Sequence, residues 1–244
     1  MQPLSIPNIG RIKLNSFHPL CHTRTGRCAM STYGFPPFID ASCRREPDFQ
    51  NPFPSISALC RQGIFAPHLR HNDVVVYMTV GGKYQNHSVV HHRIVSILLV
   101  EHVYPTHQDG EIGYQALNVP TPSNCMVPSN LPFDFDKTAG DFNTVRQETS
   151  YLSKLPAVQL QIGQRRISIW DSAYLQKSQT WQCFVRTKAL YLDLHNPTPI
   201  LEHQFVSIFG KVPNTRTPRI ISKHELDGLC TFIYDKNDSA QNCF

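Results

Sequence analysis

The longest apolar segments of the chain predict the centre of a β-sheet. Residues 74–80 (VVVYMTV) are rich in β-branched and aromatic side chains, which is typical of a strand. Residues 92–104 (HRIVSILLVEHVY) contain a nearly continuous apolar run, which predicts a strand covered on both faces. Gly81 and Gly82 turn the chain between the two segments, and we therefore expect the two strands to pair.

Weaker patterns predict the elements around this pair. Capping residues and helical spacing indicate short helices at 55–63, 171–184 and 222–229. Apolar stretches of strand length occur at 155–162, 166–170, 185–194 and 205–209. The order of these elements predicts an α+β fold with a curved mixed or antiparallel sheet, or a small open barrel, and short flanking helices.

The distribution of charge sets the N-terminal segment apart. The chain has 244 residues and a net charge of +5, and residues 1–29 contain four basic side chains and no acidic one. This segment lacks a helical or strand period and contains three prolines. We expect residues 1–29 to be a disordered or dispensable extension, residues 30–235 to form one domain, and residues 236–244 to be a polar tail. A flexible basic arm and a targeting peptide are the alternatives for the extension.

Several classes of protein are disfavoured by the rest of the sequence. The longest clean apolar run, 94–100, is too short to span a bilayer, so we expect no membrane partner. The eight cysteines form no CxxC pair and no secretory signal is visible, so we expect free thiols, a cytoplasmic location and no bound metal. Walker A, GxGxxG, GxSxG and HExxH motifs are absent from the sequence, and no cofactor is predicted.

The densest polar cluster contains Arg44, Arg45 and Glu46 and follows a proline-rich stretch. The two planar guanidinium groups suit a phosphate or a nucleobase edge, and Glu46 could accept a hydrogen bond from an exocyclic amine. The alternative is a solvated loop with an Arg–Glu ion pair. Asn124 and Arg216 lie in two other polar loops, where the amide could contact a base edge and the guanidinium group a phosphate.

Cys60 and His91 are the candidates for catalysis. Cys60 lies near the end of the first predicted helix beside Arg61, and a reactive thiolate there would need a histidine within reach. His91 precedes the long strand and shares a face with Arg93, and it would be the general base. Tyr77 could stack on a base. The alternatives are core positions for Cys60 and Tyr77, an exposed strand end for His91, and a helix-end cation at Arg61.

Part of the chain resembles the PUA-like superfamily, which includes the EVE, YTH and ASCH domains. In those domains a polar turn comparable to Asn72-Asp73 enters a strand, and the next strand runs back, as 74–80 and 94–103 do in this sequence. The stretch 59–70 (LCRQGIFAPHLR) is most similar to the nucleotide-modification-associated domains predicted in bacterial and phage modification systems. Phe209-Gly210 resembles a later element of those domains.

This resemblance implies a PUA-like curved sheet and the binding or processing of a modified or flipped nucleobase. We therefore expect a nucleic-acid-linked protein whose pocket recognises, or takes part in forming, a modified nucleobase in DNA or RNA. Partner proteins of a modification or phage defence system are expected as well. Two alternatives stay open: an enzyme acting on small nucleotides or nucleosides with a Cys/His site, and a non-catalytic interaction module of a defence system.

Overall fold

The structure, a computed structural model, describes residues 8–41, 45–85, 87–130, 177–212 and 217–241. The strands expected at 155–162 and 166–170 lie outside these residues, as does most of the helix expected at 171–184.

Strands and short helices alternate along the described chain. The strands are β1 Ile12–Phe17, β2 Ser55–Ser57, β3 Val74–Thr79, β4 His92–Tyr104, β5 Phe184–Leu192, β6 Thr198–Ile200 and β7 Arg219–Ile221. The α-helices are α1 Arg24–Tyr33, α2 His107–Gln115, α3 Glu202–Phe209 and α4 Lys223–Gln241. Three short 3-10 turns occur at Leu20–His22, Cys60–Gly63 and Ala66–His68.

The strands described form one mixed sheet that curls into an open half-barrel. The strand order is β2-β5-β4-β3-β1-β7, and β6 pairs with an end of β4. β3 and β4 are antiparallel with Val76 opposite Ile97, so the expected pairing of the two apolar segments is confirmed. The predicted α+β class with a curved mixed sheet is confirmed too.

The expected N-terminal extension is wrong for residues 12–17, because they form an interior strand. β1 pairs in parallel with β3 and antiparallel with β7, and all six of its residues are buried. The alternation of apolar and polar residues in IKLNSF is a strand pattern that the charge argument overlooked. The expected domain boundary at residue 30 therefore does not match the fold.

Two apolar cores lie on opposite sides of the sheet. The first, which we call the Tyr77 core, joins Tyr77, Phe17 and Leu98 to the segment 38–69, which covers this side. The second, the Val76 core, packs Val76, Leu14 and Ile97 against α3 and α4, through the side chains of Phe205, Phe209, Leu226 and Leu229. Because neighbouring residues of β3 point to opposite sides, each core receives every second residue of the strand.

Three expected elements differ in the structure. The helix expected at 55–63 is wrong: β2 begins there and a 3-10 turn follows, because Ser55–Ser57 pairs with β5. The strand expected at 205–209 is wrong, since α3 buries Phe205 and Phe209 one helical turn apart and ends at Gly210. Residues 177–180 are helical, but the expected helix does not reach 184, because β5 starts at Phe184.

The last expected helix begins as predicted and runs further. Ser222 Oγ accepts from Glu225 N at 3.2 Å, and Glu225 Oε2 accepts from Ser222 N at 2.7 Å, which is a capping box. The helix α4 extends to Gln241, so most of the expected polar tail at 236–244 is helical backbone. None of the described helices is long and apolar enough to cross a membrane.

Candidate functional site

Arg61 occupies a fixed position beside the Tyr77 core. It lies in the 3-10 turn Cys60–Gly63, and its φ angle of 54° is in the left-handed region. Its Nε and Nη2 atoms donate to Asn15 Oδ1 at 3.1 and 2.9 Å, and Nη2 also donates to the carbonyl oxygen of Ser16 at 2.9 Å. These acceptors are neutral, and together they orient the guanidinium group.

The backbone of this turn depends on its local sequence. Gly63 has a φ of 80°, and a Cβ atom there would lie 2.8 Å from Cγ of Trp181, so a larger residue would not fit. A left-handed conformation costs a non-glycine residue about 1–2 kcal/mol, and Arg61 adopts it nonetheless. Strained residues of this kind cluster at functional sites, which marks Arg61 as a candidate ligand-binding residue.

The thiol of Cys60 is buried beside Arg61. Its Sγ atom lies 3.7 Å from Asn15 Nδ2, which donates to it, and 4.0 Å from Tyr77 Oη. Burial raises the pKa of Cys60 to about 12, and the negative charge of Glu46 adds to this effect. Such a thiol is neutral at pH 7 and a poor nucleophile, so the geometry does not favour Cys60 as a catalytic residue.

The carboxyl group of Glu46 is mostly buried and ties its loop to β2. Its Oε1 accepts from the backbone N–H of Ser57 at 2.9 Å, and its Oε2 accepts from Ser57 Oγ at 2.5 Å and from Asn124 Nδ2 at 3.1 Å. Asn124 is fixed in turn by Ser55, whose Oγ donates to Asn124 Oδ1 at 2.6 Å.

Burial raises the pKa of Glu46 to about 8, and the neighbouring charge of Asp40 raises it further. The hydrogen bonds from Ser57 and Asn124 oppose this effect but are weaker than the cost of burial. The carboxyl group therefore changes its protonation state close to neutral pH, which a carboxylate in water does not do.

These groups form one cluster because Glu46 acts electrostatically on both Cys60 and Tyr77, and raises their pKa values. Burial is the larger cause for Tyr77, whose pKa lies well above its usual value. The cluster joins β1, β2 and β3, the 3-10 turn Cys60–Gly63, and the two loops that carry Glu46 and Asn124. We call it the Glu46–Arg61 site, and it consists of Asn15, Glu46, Ser57, Cys60, Arg61, Tyr77 and Asn124.

The other predicted arginines are only partly described. Arg45 has a φ of 44° and is buried, with Nη1 donating to the carbonyl oxygen of Asp40 at 2.9 Å. Its guanidinium carbon lies 4.8 Å from the ring centroid of Phe35, a cation–π distance. Arg45 is therefore next to Glu46 in the chain, but its guanidinium group packs against Phe35 and donates to the backbone of Asp40. Arg44 and Arg216 lie outside the described residues.

His91 and Arg93 are engaged with each other. Arg93 Nε donates to His91 Nε2 at 3.0 Å, and Arg93 Nη1 donates to the carbonyl oxygen of Pro197 at 2.7 Å. The Nε2 of His91 is therefore unprotonated, and its Nδ1–H donates to the carbonyl oxygen of Val89 at 3.0 Å. Because the lone pair of the imidazole is occupied, this geometry does not favour His91 as a general base.

Two residues of the site were not expected from the sequence. Asn15 was missed because it lies in the supposed extension, although it is the polar position of an alternating strand pattern. Ser57 was missed because the segment 55–63 was interpreted as a helix. Its pairing partner is Phe184, which is distant in sequence, and no local signal reveals that pairing.

The described residues contain no group of three or more histidine, cysteine or acidic side chains placed to hold a metal ion. The chain matches no protein-family model, no curated protein and no solved structure. The arrangement of its own residues is therefore what supports a function.

Proposed function

We propose that the protein binds a nucleobase or nucleotide, free or within DNA or RNA, at the Glu46–Arg61 site. One observation carries the proposal: the left-handed Arg61 and the carboxyl group of Glu46 both act on the thiol of Cys60, and Glu46 is hydrogen-bonded to Asn124, 78 residues away. A ligand that combines a phosphate with a hydrogen-bonding ring edge needs these three kinds of group on separate, rigid elements.

Each group of the site has a role that follows from its chemistry. The guanidinium group of Arg61, oriented by Asn15 and Ser16, supplies a positive charge that attracts a phosphate. Glu46 is an acceptor when ionised and can also donate when protonated, so it could discriminate an exocyclic amine from a carbonyl oxygen. The ring of Tyr77 is fully buried in the Tyr77 core, with its hydroxyl group 4.0 Å from Cys60 Sγ, so this geometry does not favour the predicted stacking of Tyr77 on a base.

The finer parts of the proposal rest on the resemblance to PUA-like and nucleotide-modification-associated domains. We propose that the ligand is a modified base, which the protein recognises or takes part in forming. A cytoplasmic location and partner proteins of a modification or defence system stay predictions.

An enzyme acting on small nucleotides is the second candidate function, and the raised pKa of Glu46 favours it. A carboxyl group that titrates near pH 8 is suited to general acid–base catalysis, and such groups are concentrated at active sites. In that case Glu46 would be the acid–base group, rather than Cys60 or His91. Turnover of a nucleoside monophosphate that is lost in Glu46→Gln, while binding persists, would identify this function.

The test of the proposal uses the unusual backbone of Arg61. Arg61→Gly removes the guanidinium group and its hydrogen bonds to Asn15 and Ser16, but glycine suits the left-handed φ and offsets part of that loss, so the melting temperature is recorded beside the affinity. Binding of nucleoside monophosphates and short single strands, measured by calorimetry, should weaken by about 1–3 kcal/mol. Arg61→Lys should restore only part of the affinity, because an ammonium group keeps the charge but not the planar geometry with which Asn15 and Ser16 orient the guanidinium group.

Arg70→Ala is the matched control, because it removes the same charge from an exposed residue of a neighbouring turn. We expect it to bind like the parent protein. Equal affinity of Arg61→Gly and the parent, or equal losses in Arg61→Gly and Arg70→Ala, would show that Arg61 is not a ligand-binding residue.

A further inference from the structure

A row of five rings leads away from the Glu46–Arg61 site. Its consecutive centroid distances are 5.3 Å from His18 to His22, 6.0 Å from His22 to Tyr84, 5.6 Å from Tyr84 to His91 and 4.8 Å from His91 to His87. We call these five side chains the ring row. They come from two separate stretches of sequence, 18–22 and 84–91, so the fold is what brings them together.

The first ring of the row adjoins Arg61. His18 follows β1, the strand whose Asn15 and Ser16 hold the guanidinium group of Arg61. The charge of Arg61 also acts on His18 and lowers its pKa, after the larger effect of burial and the effect of His22. The first ring of the row therefore lies within electrostatic reach of Arg61.

The charged groups that act on the row are bases. Burial is the first cause that lowers the pKa of His22 and of His91. The charge acting on His22 is that of Arg27, and the charges acting on His91 are those of Arg93, His87 and His92. The arginine charges next to His22 and His91 favour a negatively charged ligand.

The accessibility of the row suits a long ligand. The end rings, His18 and His87, are exposed and His22 is half-buried, while Tyr84 and His91 are buried between and beneath them. Tyr84 is locked in place because its Oη donates to the carbonyl oxygen of Val80 at 2.6 Å. Exposed rings on a rigid base, in a positive field, are the combination that binds single strands by stacking and phosphate contacts.

We propose that the ring row binds the backbone and neighbouring bases of a single-stranded oligonucleotide, one nucleotide of which occupies the Glu46–Arg61 site. This inference rests on the proposed function and narrows its ligand to a single strand rather than a free nucleotide. Protonation of His18 and His22 adds positive charge to the row. Burial lowers the pKa of both histidines, so the affinity for a single strand should rise as pH falls below their ordinary pKa of 6.5.

The experiment compares a nucleoside monophosphate with a six-nucleotide single strand, at pH 5.5 and pH 7.5 and constant salt. The test variant is His18→Gln, His22→Gln and His87→Gln combined. The control variant replaces three exposed histidines elsewhere, His71, His102 and His203, by Gln. Binding is followed by fluorescence anisotropy or, for the monophosphate, by calorimetry, and the melting temperature of each variant is recorded.

We expect the parent protein and the control variant to bind the single strand at least about tenfold more tightly than the monophosphate at pH 5.5. Their affinity for the single strand should be at least about fivefold weaker at pH 7.5 than at pH 5.5. The test variant should lose both the tenfold gain and the pH dependence, while its monophosphate affinity stays unchanged. A test variant that binds the strand like the control overturns the inference.

The failure of this inference can be told apart from the failure of the proposed function. If the monophosphate binds but the strand binds no more tightly, only the inference about the ring row is wrong. If neither ligand binds the parent protein, the proposed function is wrong and the inference falls with it. A preference for duplex over single strand would also overturn the inference, because stacking on the rings needs unpaired bases.

Discussion

The carboxyl group of Glu46 makes a contribution to the stability of the folded protein that decreases as pH rises. Its pKa rises from 4.5 in the unfolded chain to about 8 in the folded protein. The folded state therefore holds a proton that the unfolded chain releases between these two values. The contribution is fully present below pH 4.5 and is lost as pH rises through 8.

Replacing Glu46 by Gln should remove this dependence. We expect the parent protein to lose stability relative to Glu46→Gln between pH 5.5 and pH 8.5, as measured by urea unfolding. The histidines with lowered pKa values, such as His18 and His91, make the protein less stable as pH falls below 6.5. They are present in both proteins, so their effect cancels when the two free energies of unfolding are subtracted. A stability difference that is constant with pH would contradict the assignment.

The individual residues of the Glu46–Arg61 site show which features of a site can be predicted from the sequence. The side-chain chemistry of Arg61, Glu46 and Asn124 suits a nucleotide, and the sequence alone predicts them as candidates. The contact between Asn124 and Glu46 could not be predicted, because the two residues lie in distant segments. The engagement of His91 by Arg93 was equally hidden, since it depends on the rotamers of both side chains.

Among the elements, β1 contributes to both the fold and the site. Its Leu14 is buried in the Val76 core, and its Asn15 orients Arg61. The sequence left the strand unrecognised because six residues of alternating pattern are a weak signal beside a basic, proline-containing context. By contrast, the apolar runs of β3 and β4 are long enough to define strands without tertiary information.

Deletion of residues 1–29 tests the role of β1. Because the deletion leaves β3 and β7 without the strand that lies between them, we expect the loss of a cooperative thermal transition. Deletion of residues 1–7, which stops short of β1, is the control and should keep the transition. A 1–29 deletion that melts like the parent protein would show that the strand is dispensable.

The helix α3 illustrates why a short apolar segment is ambiguous. Residues 205–209 (FVSIF) are compatible with a strand or with one turn of a helix, since the segment is too short for periodicity to decide. The structure settles it through tertiary packing, because Phe205 and Phe209 both face the Val76 core. Gly210 then ends the helix in the left-handed conformation, with a φ of 69°.

At the scale of the whole molecule, the long strand β4 holds the sheet together. It pairs with β3, β5 and β6, and its Ile97 is 1% exposed. Replacing Ile97 by Ala should lower the free energy of unfolding by about 2–5 kcal/mol. Ile112→Ala is the matched control, because Ile112 is 56% exposed and should cost much less. Similar costs for the two variants in urea unfolding would contradict the placement of β4.

The most direct test of the account is whether Glu46 and Arg61 act together on one ligand. The measurement is the affinity for a nucleoside monophosphate in the parent protein, Glu46→Gln, Arg61→Gly and the double variant, at constant pH and salt. If the two residues share a site, the loss in the double variant should differ from the sum of the single losses by at least about 0.5 kcal/mol. Strictly additive losses, or no binding by the parent protein, would contradict the Glu46–Arg61 site as a nucleotide-binding site.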